Sequence, residues 1–162
     1  MKKTVIIIFI IINIIAINSC SDEKQNDNHA EEDAWPLHVS IIQLIANPAE
    51  YHGKKILVEG VVDLSYEGTA VYLCIDNWYY LASKNAIWLK IPLEVIDDEL
   101  WYYINGRLIS EEDAREYNGK YVLIEGTFDM YDTGHRDLFS GGIFDITSFI
   151  DTSNINQDIK YS

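Results

Sequence analysis

Apolar and polar positions change rhythm several times along the chain, and each change marks an element. Residues 5–17 form an almost unbroken apolar run interrupted only by Asn13. The next stretch, 21–34, carries Asp22, Glu23, Asp27, Glu31, Glu32 and Asp33, one Lys and no large apolar side chain. It cannot bury enough surface to fold and is expected to be a flexible tether. Periodicity resumes at Trp35. Ser40 predicts the cap of a short helix through Ile45, and Asn47-Pro48 breaks it before a second turn at 49–51. Period-two alternation predicts five strands, at 55–64, 70–75, 86–91, 121–130 and 142–149. A tight turn at Glu67-Gly68 joins the first two, a loop at 76–85 the next two, and Pro92 stops the third. Residues 93–104 and 110–117 are expected to be helical or mixed, with Ser110 and Asp113 as a cap signal. A loop containing Asp132-Thr133-Gly134 precedes the last strand. Residues 151–162, polar with isolated Ile155 and Ile159, are expected to be a frayed tail. The folded body is then one domain over 35–150.

That body contains an internal echo. Tyr51, Gly53, Lys54, Leu57, Glu59, Gly60 and Asp63 recur without a gap as Tyr117, Gly119, Lys120, Leu123, Glu125, Gly126 and Asp129, an offset of 66 residues. The spacing is too long for a solenoid unit and the echo occurs twice only. In each copy a glycine closes a short helix and a β-rich run follows. The second glycine of each copy, Gly60 or Gly126, marks a bend or bulge inside the strand. Strongly bent strands suggest a small barrel. Five strands with helical material between the third and fourth match the order of an OB-fold barrel, so the fold class is mainly β with short helices.

A resemblance rests on the same residues. Asn47-Pro48, Tyr51, Gly53-Lys54-Lys55-Ile56, Val58 and Gly60 look like the first strand of OB-type domains. Together with Lys84-Asn85-Ala86-Ile87-Trp88-Leu89 and with Gly134-His135, Phe139-Ser140-Gly141 and Ile143, the set is similar to a group of small exported bacterial lipoproteins with OB-like bodies and no established activity. The resemblance covers residues 40–150, implies an OB-like fold and carries over no catalytic residue.

The first residues change the picture of where the protein works. Lys2 and Lys3 precede the apolar run, which is shorter than the roughly 20 residues a membrane span needs. It ends at Ile17-Asn18-Ser19-Cys20, a secretory signal closing in a lipobox. The pattern resembles bacterial lipoproteins, which implies cleavage after residue 19, a diacylglyceryl thioether on Cys20 and an acylated new N-terminus. Ser21 in place of Asp points to the outer membrane, and Ser21-Asp22-Glu23-Lys24 looks like the acidic export tag of surface lipoproteins. The implied localisation is the cell envelope, anchored by lipid. With Cys20 consumed, Cys74 is left alone in an apolar run, a buried structural thiol.

Composition then narrows the partners. The chain has 162 residues and a formal net charge of -14, which becomes -16 when residues 1–19 remove Lys2 and Lys3. Such acidity disfavours phosphate backbones, so nucleic acid is an unlikely ligand. It steers cationic partners instead.

Catalytic and cofactor signatures are missing from the sequence, with no nucleophile elbow, metalloprotease helix, phosphate loop, paired-cysteine motif or EF-hand loop. His29, His38, His52 and His135 show no metal-ligand spacing. No cofactor, metal or enzyme activity is expected, and Asp97-Asp98-Glu99 and Glu111-Glu112-Asp113 read as solvated helix faces. Alternation places Val71, Leu73, Ile75, Ile87, Leu89 and Ile91 inside the barrel and Tyr72, Cys74, Trp88 and Lys90 outside. Tyr72, Trp88 and Lys90 are therefore the candidate binding face, rimmed by Trp78, Tyr79, Tyr80, Lys84, His135 and Arg136. The alternative is that these aromatics cover barrel ends or pack beneath Trp101-Tyr102-Tyr103. The expected function is a tethered, non-enzymatic envelope module for a basic protein, peptide or glycan. One sharper form is an inhibitor or immunity protein for a basic envelope hydrolase or toxin. The rival is an envelope hydrolase using the His135 loop, which requires a concave polar site within reach of that imidazole.

Overall fold

The computed structural model describes residues 35–153. The signal and lipid-anchor expectations at 1–19 and Cys20, and the tether to residue 34, lie outside the described residues. Nine strands and four short α-helices follow one another from Leu37 to Asp151.

Five of the strands close a barrel. These are β2 (Lys55–Asp63), β3 (Ala70–Tyr72), β4 (Ala86–Leu89), β8 (Tyr121–Asp129) and β9 (Gly142–Asp151). They are hydrogen-bonded in the order β2-β3-β4-β9-β8, and β8 pairs back onto β2. All pairings are antiparallel except β4 with β9. This is the OB-like five-stranded barrel expected from the sequence. β1 (Leu37–Val39) runs parallel to the first half of β2. Inward residues Ile56, Val58, Val71, Ile87, Leu89, Ile124 and Ile143 make one core. Helix α1 (Ile41–Ala46) packs Ile41 and Leu44 into it. Its start is the capping box that Ser40 promised: Gln43 N donates to Ser40 Oγ at 3.2 Å and Ser40 N to Gln43 Oε1 at 2.9 Å. Helix α2 (Pro48–Tyr51) is the expected second turn.

The echo turns out to be a local twofold. β2 and β8 pair with Val58 opposite Ile124 at the centre. Around that centre the same bonds are made twice: Gly53 N donates to Phe128 O at 2.8 Å, and Gly119 N to Val62 O at 2.9 Å. Gly60 and Gly126 are where each long strand bends. At Gly60 the neighbour of β2 changes from β1 to β3, and at Gly126 the β8–β9 register shifts. A Cβ on Gly60 would lie 2.5 Å from Tyr72 O, and one on Gly126 2.5 Å from Ile143 Cγ2. Only glycine permits such close approach.

Three expectations are corrected. Residues 93–104 are not helical or mixed. They form the hairpin of β5 (Leu93–Ile96) and β6 (Glu99–Ile104), extended by β7 (Arg107–Ser110) into a separate three-stranded sheet. The strands are rich in β-branched and aromatic residues, Val95-Ile96 and Trp101-Tyr102-Tyr103-Ile104, and both turns are two residues in the left-handed region, Asp97-Asp98 and Asn105-Gly106. That is hairpin chemistry. Of the acidic run at 97–99, Asp97-Asp98 is therefore a turn and Glu99 opens β6, whereas Glu111–Asp113 does open a helix, α4 (Glu111–Arg115), capped by Ser110 as predicted.

Second, strand 70–75 stops at Tyr72. Helix α3 (Ile75–Tyr79) takes over, and Ile75 is exposed rather than inside the barrel. Third, the body does not end at residue 150. Thr152 is buried, its N donates to Tyr121 O at 2.9 Å and its hydroxyl to Glu59 Oε1 at 3.0 Å. The remainder of the expected tail lies outside the described residues.

Candidate functional site

Residues of β2, β3 and β4 that point away from the barrel core are Val61, Ala70, Tyr72, Ala86 and Trp88, as alternation requires. All but the half-buried Trp88 are closed to solvent. Phe139 and Trp78 pack on them as a second apolar cluster. Tyr72 is only 3% exposed. It is thereby removed from the candidate contact face, although its direction was read correctly. Burial, then the nearby Asp63 carboxylate, pushes its phenol up to about 12.

Several other candidates hold this cover down. Lys84 Nζ donates to Asp137 O at 2.9 Å, and Ser140 N donates to Ala86 O at 3.1 Å. Trp78 Nε1 donates to Asp63 Oδ2 at 3.1 Å, and its ring lies against Gly119. Gly134, at φ +68, sits so close to Trp88 that a Cβ would approach the indole to 2.6 Å. Tyr79 and Tyr80 are exposed and stack edge-on at 5.1 Å, and Arg136 is exposed; none of the three lines the cleft described next.

What remains open is a cleft of about 360 Å³ beside Trp88, with Tyr66 and Leu93 in its lining. It brings together Trp88, Lys90 and His135 from the candidate set. Each basic side chain there already faces an acid: Lys90 Nζ lies 3.4 Å from Asp132 Oδ2, and His135 Nε2 lies 3.7 Å from Glu67 Oε2. His135 thus does reach a concave site, but the hydroxyls near it point elsewhere. Thr69 Oγ1 donates to Ser65 O at 3.3 Å and Thr133 Oγ1 to Asp137 Oδ1 at 2.7 Å.

A larger groove of about 740 Å³ begins on the other side of Tyr66, which lines both. Val95 and Leu100 are its apolar residues, and Asp98, Glu99, Glu111 and Glu112 its carboxylates. Among the described residues its one cation is Arg115, held at 2.7 Å by Glu111. Sequence reasoning missed this groove because it put 97–99 and 111–113 on solvated helix faces. The Asn105-Gly106 pair was the signal that would have revealed the sheet and folded the two acidic runs toward each other. Among the described residues, no group of three or more His, Cys, Asp or Glu is placed to hold a metal ion. Comparison with protein-family models, with curated proteins and with solved structures finds no match.

Proposed function

We propose that this chain is a non-enzymatic binding module of the bacterial cell envelope, lipid-anchored at Cys20 in the outer membrane, and that its ligand is a cationic protein segment. The observation that carries the reading is the groove whose four carboxylates are left with one arginine, itself paired. Apolar Val95 and Leu100 between those acids supply the contact area that charge alone lacks. The net charge of -14 adds long-range attraction for the same class of partner. A basic envelope hydrolase or toxin has that chemistry, which would make the module an inhibitor or immunity protein.

The test is a titration of the full chain with a fluorescent oligolysine from about 50 mM to about 500 mM salt. Saturable binding that weakens with salt, and that a Glu111→Gln/Glu112→Gln variant loses in part, is expected. Equal binding of an oligoglutamate, or no saturable binding at low salt, would overturn the reading. Incorporation of labelled palmitate, lost in Cys20→Ser, checks the anchor separately.

A further inference from the structure

We infer that the ligand docks as an added β-strand on the outer edge of β5, an extended basic segment laid along Leu93 and Val95. This rests on the cationic-ligand reading above and specifies how that ligand is held.

The sheet of β5, β6 and β7 is ordered β5-β6-β7, so β5 has no partner on its outer side among the described residues. The ladder phase says which groups are free. Tyr103 N donates to Pro92 O at 2.9 Å, and the two-residue turn closes on Ile96 opposite Glu99. In an antiparallel pair the bonded positions alternate, so Glu94 and Ile96 turn their amides toward β6. Leu93 and Val95 turn theirs outward. Natural edges are blunted by shortness, charged side chains, proline or a bulge. Leu93-Glu94-Val95-Ile96 is short but has no lysine, proline or bulge, its single charge is the acid Glu94, which favours a basic partner, and all four residues are exposed.

The side chains agree with the backbone. Leu93 lines the Trp88 cleft and Val95 the acidic groove, with Tyr66 common to both. An added strand would thus lay alternate side chains into two adjoining depressions, the usual division of labour in strand addition. Charge selects the occupant. Asp98, Glu99, Glu111 and Glu112 crowd the turn end of the edge, whereas the opposite edge, β7, begins with Arg107. A second copy of this chain, itself at -14, is repelled from that end.

The experiment uses the full chain with a fluorescent heptapeptide alternating lysine and valine, beside the same peptide with prolines in place of valines. Charge is equal in the two probes, and only the first can pair as a strand. Val95→Pro is the matching change in the protein, and it removes an outward N–H without breaking the β5–β6 ladder. Binding is expected to weaken roughly three- to tenfold for either change. The first peptide is also expected to slow amide exchange at Leu93 and Val95 of the unaltered protein, a readout that does not depend on how the variant folds. Equal binding of both peptides, with exchange at 93 and 95 unchanged, would overturn strand addition while leaving the cationic ligand standing. No saturable binding of either peptide at low salt would overturn both.

Discussion

Asn105 pairs with Phe149 through both ends of its side-chain amide: Nδ2 donates to Phe149 O at 2.6 Å, and Oδ1 accepts from Phe149 N at 2.9 Å. A turn residue of the small sheet thus completes the backbone pairing of β9 and ties the sheet to the barrel. Asn105→Asp keeps a residue that tolerates φ +49 but turns a donor into a carboxylate facing a carbonyl. The loss is expected to be about 1–3 kcal/mol in urea unfolding. Faster amide exchange over 93–110, with the β2–β8 pairing unchanged, should accompany it.

How much of this was legible in the sequence depends on the range of the forces involved. The barrel strands followed from period-two alternation, and Ser40 and Ser110 capped their helices as local chemistry dictates. Gly60 and Gly126 announced their bends because a missing side chain is visible in one dimension. The small sheet was misread because acidic residues at 97–99 were weighed as a surface rather than as a turn. The covered face was beyond local reasoning. That Trp88 points outward is a matter of parity, but that Gly134 and Phe139 return to cover it depends on a chain segment some 50 residues away.

The hydrogen bond from Trp78 to Asp63 makes a second prediction. Asp63 is buried, and its other oxygen already accepts from Ser65 N at 2.8 Å. Trp78→Phe keeps apolar contact with the outer cluster but withdraws one donor from a buried carboxylate. A cost of about 1–2 kcal/mol is expected, with the denaturant slope unchanged. Double substitution with Asp63→Asn should cost less than the sum of the two single changes, because both act on the same bond.

Tyr72 gives a pH signature. Its phenol sits at about 12 in the folded chain against 10.0 for an unperturbed one, through burial first and the Asp63 charge second. A raised acid holds its proton more tightly in the folded state, so its contribution is complete below pH 10 and falls away as pH rises toward 12. The loss over that window is on the order of 2–3 kcal/mol. Unfolding midpoints should drop between pH 10 and 12 more steeply for the unaltered protein than for Tyr72→Phe. Parallel curves would mean that the phenol titrates normally under the Trp78–Phe139 cover.

The two bend glycines can be ranked against each other. A methyl on Gly60 would meet Tyr72 O at 2.5 Å, Val71 Cγ2 at 2.6 Å and Ile41 Cδ1 at 2.8 Å. One on Gly126 would meet Ile143 Cγ2 at 2.5 Å and Phe144 O at 2.9 Å. The Tyr72 carbonyl belongs to a three-residue strand paired on both sides, and it has little room to retreat. Beside Gly126 the strand already carries a register shift, with Asp145 at φ +47, and a bulge of that kind yields more readily. Gly126→Ala is therefore expected to cost about 1–3 kcal/mol and Gly60→Ala more than that. Thermal unfolding of the two variants decides it. Equal losses would mean that the local twofold, and not the neighbours of each glycine, sets what the barrel tolerates at its bends.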